Sequence, residues 1–192
     1  MKNLVFATNN PHKIAEVKAI IGPDFAIRSL QDIGCHEELP ETTDTIPGNA
    51  LQKAQYVYDH YGVDCFAEDT GLEIEALGGA PGVHTAYYAG PQRSAEDNYN
   101  LVLSQLQGQS NRRAQFRTVI ALILGGKVFT FEGIAPGRIA EQPAGEGGFG
   151  YDPVFIPDGY DQPFANLPYE VKNSISHRAK AMEGLLSFLA KL

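Results

Sequence analysis

Two adjacent carboxylates at the end of an apolar run restrict the fold of this chain more than any other feature. The short, mainly apolar run 63–67 delivers Glu68 and Asp69 onto Thr70-Gly71, and a second run, 72–77, opens into Gly78-Gly79-Ala80-Pro81-Gly82. A carboxylate at the end of a buried strand is costly to desolvate unless something cationic compensates it. At a strand–turn junction that partner is most often a metal ion, or a substrate held by one. The net charge of −8 and pI near 5.1 argue against a non-specific grip on nucleic acid or an anionic membrane. A small anionic substrate therefore needs a local basic cluster and a divalent cation.

The strand before the first polar turn, 4–7, ends at Thr8-Asn9-Asn10, and Pro11 opens a helix with Asn10 as its N-cap. Ile14, Val17 and Ile21 share one face of that helix, and Gly22-Pro23 stops it. Unpaired first-turn N–H groups with Lys13 beside them outline an anion site; the plainer alternative is a capped helix with a solvated lysine. No Walker-type glycine pattern is present. A second strand is expected over 26–30, an acidic loop with Glu37, Glu38, Glu41 and Asp44 over 31–45, and a helix over 47–61 stopped by Gly62. Lys53 on that helix is either an exposed charge or a second cation facing the site.

Ser94-Ala-Glu-Asp97 has capping-box form and starts a helix whose stripe is Tyr99, Val102, Leu103 and Leu106. Residues 115–124 and 127–134 flank Gly125-Gly126 and predict a hairpin, with 118–124 apolar enough for a central strand covered on both faces. Gly145 to Phe155 packs glycines around Phe149 and Tyr151, as a sharp turn needs, and offers aromatic faces on which a flat base could stack. Ser176 reads as the N-cap of a final helix with Leu185, Phe188, Leu189 and Leu192 as its buried stripe. Arg178 in that helix's first turn opposes the helix dipole, so a bound anion or base is wanted there. Cys35 and Cys65 have no metal-ligand spacing and read as reduced thiols. With no apolar run near about 20 residues and no leader pattern, a cytoplasmic protein without a membrane span is expected.

These carboxylates, the cations Lys13, Lys53, Lys172 and Arg178, and a glycine–aromatic loop describe nucleoside triphosphate chemistry. Five motifs in order carry a closer identification: Ala7-Thr-Asn-Asn-Pro-His-Lys13, Glu68-Asp-Thr-Gly-Leu72, Leu77-Gly-Gly-Ala-Pro-Gly82, Gly147-Gly-Phe-Gly-Tyr-Asp-Pro153 and Ile175-Ser-His-Arg-Ala-Lys180. Over nearly its full length the chain resembles the inosine/xanthosine triphosphate pyrophosphatases, which remove non-standard purine nucleotides. The resemblance implies an α/β fold: a long twisted mixed sheet flanked by helices, a single domain over 1–192 with two lobes and the active-site cleft between them. It also implies a homodimer, a purine nucleoside triphosphate substrate (ITP, dITP or XTP) and Mg²⁺. Carried over by position, Thr8, Asn9, Asn10, Pro11, His12 and Lys13 hold the triphosphate, and Lys53 is a further phosphate contact. Asp69 is the general base and a metal ligand with Glu41, and Thr70 touches substrate. Phe149, Gly150, Tyr151 and Asp152 form the base pocket, while Lys172, His177 and Arg178 read the 6-oxo edge.

The chain departs from the family pattern once. Thr85-Ala-Tyr87-Tyr88 stands where Ser-Ala-Arg and an aromatic are common, so a positive charge is missing near the glycine-rich turn. Glu68 has no role by this route, because alternation along a strand points it away from Asp69. Two other readings fit the same motifs: a non-catalytic nucleotide-binding module, and a triphosphatase of other specificity.

Overall fold

A computed structural model describes residues 2–192. Strands β1 (Lys2–Phe6), β2 (Phe25–Arg28), β3 (Cys65–Ile74), β4 (Arg113–Leu124), β5 (Lys127–Ile139) and β6 (Phe155–Pro157) form one mixed sheet in the order β2-β1-β3-β4-β5-β6, with helices packed on it, and the chain divides into two compact units. This is the α/β sheet flanked by helices expected from the sequence.

The first unit holds the chain through Asp69 together with Thr118–Gly133 and His177–Leu192. Strand β1 (Lys2–Phe6) pairs in parallel with β2 (Phe25–Arg28) and with the start of β3 (Cys65–Ile74), Phe6 lying opposite Phe66. Between these strands run α1 (Pro11–Ile21) and α2 (Ile46–Tyr61). The final helix, α5 (His177–Leu189), packs on α1. Phe6 and Phe66 stack at 4.5 Å, and Val17, Ile120, Leu122, Met182 and Leu185 close the core around them. The apolar stripe read for α5 is right at Leu185 and Leu189, whereas Leu192 lies beyond the helix and is exposed.

The second unit holds Thr70–Arg117 and Ile134–Ser176. It contains the remainder of β3, parts of β4 (Arg113–Leu124) and β5 (Lys127–Ile139), β6 (Phe155–Pro157), α3 (Ala95–Gln105) and α4 (Tyr169–Ile175). Its core is aromatic: Phe116, Phe155 and Phe164 form a cluster with the first pair 4.5 Å apart. Ser94 caps α3 through the Asp97 amide, as its motif predicts.

Strand β4 is buried without a break from Thr118 to Ile123 and sits between β3 and β5. The glycine hairpin joins β4 to β5 where expected, but β5 runs on to Ile139, beyond the expected 134. Its second half pairs antiparallel with β6, Gly137 opposite Pro157 and Ile139 opposite Phe155. That partner starts at Phe155, the last residue of the glycine–aromatic segment, where periodicity shows no strand. Ser176 directly precedes α5, the N-cap position read from the sequence, and it also closes α4, a short helix that the sequence pattern did not reveal.

Candidate active site

In the first unit the two acids meet three cations, and they lie in the middle of β3, which runs unbroken from Cys65 to Ile74, rather than at the strand end expected before Thr70-Gly71. Glu68 and Asp69 follow one another on β3 and so face different partners. Glu68 is buried and takes a two-point bond from Arg178, Nε to Oε2 at 2.7 Å and Nη2 to Oε1 at 3.1 Å, with Lys13 Nζ 2.9 Å from Oε1. Arg178 also donates through Nη1 to Glu16 on α1. Burial works against ionised Glu68, but Arg178 and Lys13 outweigh it and hold the carboxyl far below its usual range. Burial likewise opposes the charge on Arg178, and Glu68 and Glu16 outweigh it in turn. The anion wanted at the start of α5 is therefore supplied by the protein itself.

Asp69 sits in a different field. Its nearest cation is Lys53, 3.9 Å from Oδ1. Lys53, on α2, is buried and donates to Glu41 Oε1 and to the Glu68 carbonyl, each at 2.7 Å. It is thus a cation facing the acids, the second of the two readings of its helix position. Burial pushes Asp69 up to about 6, with Glu41 and Glu68 adding to the rise and Lys53 and Lys13 opposing it. A carboxyl in that range is a better base near neutral pH than an ordinary aspartate.

Glu41 and Asp69 fit a small divalent cation. Both carboxylates approach the Lys53 ammonium, which offsets part of their charge, and Glu41 is open to solvent on one side, so a cation entering there would share the two carboxylates with Lys53. Among the described residues no cluster of three or more His, Cys, Asp or Glu side chains is placed to hold a metal. Two carboxylates with remaining positions left to waters and phosphate oxygens suit Mg²⁺ better than a metal needing an all-protein cage.

The polar turn before α1 differs in detail from the expected anion site. Asn10 caps α1, but its Oδ1 accepts from the His12 and Lys13 amides at 3.0 and 3.3 Å, and Thr8 Oγ1 accepts from the Asn10 amide. Those first-turn donors are already engaged. An anion here would meet the Lys13 ammonium and the exposed side of Asn9, Pro11 and His12 rather than bare helix N–H groups.

The second unit presents a smaller, drier group. Lys172 on α4 donates to Asp152 Oδ2 at 2.6 Å, both side chains buried, and the same carboxylate oxygen accepts the Phe149 amide at 3.0 Å. The Lys172 ammonium lies 4.7 Å from the centre of the Phe149 ring. Gly148, at φ 69°, passes so close to the Asp152 carboxylate that a side chain there would collide with it. Phe149 and Gly150 are half-buried and Tyr151 is buried, its hydroxyl donating to the Thr85 carbonyl at 2.7 Å. Phe149 is the more exposed of the two rings. Thr70, half-buried on β3, begins this unit. Thr85 Oγ1 accepts from the Leu72 amide and donates to the Gly82 carbonyl, tying the glycine-rich turn to β3. Beside it Arg93 sits 5.3 Å over the Tyr87 ring, which places a positive charge in this region.

Glu16, buried against Arg178, was missed by the sequence reading, and only its position one residue before Val17 on an amphipathic helix could have flagged it. His177 and Arg178 are both buried in the first turn of α5.

Proteins similar to this chain are numerous. A dITP/XTP pyrophosphatase of Flavobacterium johnsoniae is 54% identical over 97% of both chains, and one of Bacillus subtilis is 44% identical over 98% of both. The solved Ham1 protein of Staphylococcus aureus superposes with a TM-score of 0.90 at 37% identity, over 99% of each chain, and that of Coxiella burnetii with 0.91 at 32%, over the whole of each. Residues 4–188 match the Ham1 family, and the chain belongs to it.

Proposed function

We propose that this protein hydrolyses non-standard purine nucleoside triphosphates (ITP, dITP and XTP) to the monophosphate and pyrophosphate, using Mg²⁺. The observation that carries the reading is a geometry: midway along the central strand β3, buried Asp69 approaches the Lys53 ammonium at 3.9 Å and Glu41 approaches it at 2.7 Å, and burial raises the Asp69 carboxyl. The relatives' names point the same way.

Glu41 and Asp69 would hold the cation, which when bound neutralises phosphate charge and polarises a water. Asp69 takes a proton from the attacking water as its oxygen bonds the α-phosphorus; the α–β bridging oxygen leaves with pyrophosphate. Lys13 and Lys53 stabilise the charge that gathers on the phosphates. Thr8, Asn9, Asn10, Pro11 and His12 form the turn that lies against the triphosphate. Glu68, Arg178 and Glu16 hold Lys13 in place and need not touch substrate.

The base falls to the second unit. Phe149 stacks on it, with Gly150, Tyr151 and Asp152 shaping the loop and Thr70 contacting substrate. An ammonium donates and never accepts, so Lys172 matches a 6-oxo purine and leaves a 6-amino group facing a donor. A mismatch of that kind discriminates strongly. His177 is assigned to the base edge by the family resemblance alone, whereas the guanidinium of Arg178 is committed to Glu68 and Glu16. A cytoplasmic homodimer is the setting that the family resemblance implies; among the described residues, no helix is long and apolar enough to cross a membrane.

The test is pyrophosphate release from ITP, dITP, XTP, GTP and ATP with Mg²⁺ and with EDTA. The first three should exceed the last two in kcat/KM by on the order of 10²-fold or more, and EDTA should abolish turnover. Tight binding without release would mean a nucleotide-binding module, and preference for ATP a triphosphatase of another specificity.

A further inference from the structure

The acidic loop before α2 is bound to that helix residue by residue, in an order that ends on Glu41. Thr45, Asn49, Gln52, Lys53 and Tyr56 fall on one face of α2 at helical spacing. Thr45 caps the helix through the Gly48 amide. Asn49 Oδ1 accepts both the Thr43 amide at 3.0 Å and the Thr43 hydroxyl at 2.8 Å. Gln52 Oε1 accepts the Thr42 amide at 2.8 Å, and its Nε2 donates to Thr42 Oγ1 at 2.7 Å. Lys53 then takes Glu41. Tyr56 and Tyr61 both donate to Glu37, at 3.1 and 2.6 Å, anchoring the far end of the loop. The loop thus runs 43, 42, 41, 37 against helix positions 49, 52, 53 and 56. Gly48 permits this approach, since a side chain there would strike the hydroxyls of Thr43 and Thr45.

The Gln52 bonds stand out within this set. Gln52 precedes Lys53, and Thr42 follows Glu41, so a two-point clamp lies directly beside the ion pair of the active site. Asn49 is buried, and its loss would strand the Thr43 amide. Thr42 is exposed and Gln52 half-buried, so water can replace the bonds that they share. The clamp therefore adds little to stability. What it fixes is the backbone that carries Glu41, and with it where that carboxylate points. Lys53 alone leaves this open, because a lysine ammonium is a point charge that accepts a carboxylate from many directions.

We propose that Gln52 is a positioning residue for Glu41: by holding Thr42 at two points it preorganises the carboxylate that receives the divalent cation. This rests on the reading of Glu41 as a cation ligand. Outer partners that orient a ligand commonly govern metal affinity without touching the metal.

Gln52→Ala, compared with the wild type, should raise the Mg²⁺ concentration for half-maximal pyrophosphate release on the order of tenfold, with kcat at saturating Mg²⁺ within about twofold and an almost unchanged thermal midpoint. Without substrate or metal, amide exchange at Thr42 and Thr43 should quicken while the interior of α2 keeps its protection. Thr42→Ser keeps the hydroxyl and should behave as wild type. Thr42→Val should show part of the effect and add nothing to Gln52→Ala, because both act on one clamp. Unchanged amide exchange, or an unmoved Mg²⁺ midpoint with a fall in kcat, overturns the proposal. A wild-type protein that releases no pyrophosphate instead overturns the catalytic reading. The clamp is then decided by amide exchange and by Mn²⁺ affinity of the free protein, where equal values in wild type and Gln52→Ala refute it.

Discussion

Both units bury a lysine against a carboxylate, yet they do so in opposite ways. In the second unit Lys172 and Asp152 form one close pair under Phe149, dry and balanced, and the oxygen that meets the lysine also accepts a backbone N–H. In the first, Glu16, Glu41, Glu68 and Asp69 share Lys13, Lys53 and Arg178, and the charges do not match one to one. Glu68 wins the close contacts and its carboxyl is driven down; Asp69, left 3.9 Å from its cation, is driven up. Adjacent residues of one strand thereby shift in opposite directions: the Glu68 carboxyl is held ionised, while the Asp69 carboxyl is eased towards its protonated form. A balanced pair can shape a pocket, whereas an unbalanced cluster has reason to take up another cation and to move a proton.

The sharpest way to break that contrast is Asp69→Asn. Removing the base should lower turnover of the preferred substrate by on the order of 10³-fold. The thermal midpoint should hold or rise, because an amide is easier to bury than a carboxylate with a distant partner. Pyrophosphate release and a melting curve on the same sample decide it. Wild-type rates would show that Asp69 is not the base, and a collapsed fold would show that its charge is structural.

Arg178 tests the other half of the cluster. Arg178→Met leaves Glu16 and Glu68 buried without their guanidinium and should cost about 3–5 kcal/mol of stability by denaturant titration. Adding Glu16→Gln and Glu68→Gln should recover most of that loss, since the penalty comes from stranded charge rather than from lost packing. Lys172→Met in the second unit strands one carboxylate that still has the Phe149 amide, so its cost should be smaller. Equal losses at the two positions would mean that the two groups differ in appearance only.

Much of this was legible in the sequence, and the gaps have a common cause. The capped turn at Asn10, the central strand and the glycine hairpin depend on neighbours in sequence, which patterning reads well, whereas the strand end expected at Glu68-Asp69 is the middle of β3, because Thr70-Gly71 continues the strand instead of turning it. Glu16 depends on Arg178, 162 positions away, and nothing in α1 alone distinguishes it from a solvated acid. The acidic loop was readable as a loop, but its register on α2 comes from side-chain bonds between Glu37, Thr42, Thr43 and helix positions that no periodicity encodes. The end of β5 and all of β6 were hidden for a related reason: each strand is completed by pairing with the other. Arg178 shows the limit of a correct local argument. The helix dipole rightly demanded an anion at the start of α5, but could not say that the protein would provide it.

The smallest expected effect separates the two units most cleanly. Phe149 is half-buried, so Phe149→Ala should disturb the fold little, while a stacked base loses about 1–3 kcal/mol of contact. KM for ITP should therefore rise on the order of tenfold, with kcat largely retained, since the ring grips the base and not the reacting phosphorus. Inorganic tripolyphosphate carries the charge without the base, so its inhibition constant should be the same for Phe149→Ala and wild type. In Lys13→Ala the inhibition constant should weaken instead, because that ammonium belongs to the phosphate side. If tripolyphosphate weakened in Phe149→Ala as much as ITP did, the ring would be supporting the phosphate cluster, and the division of labour between base and triphosphate would fail. If neither changed, Phe149 would be closing the glycine loop over Asp152 and Lys172, and the stacking face would have to be sought elsewhere.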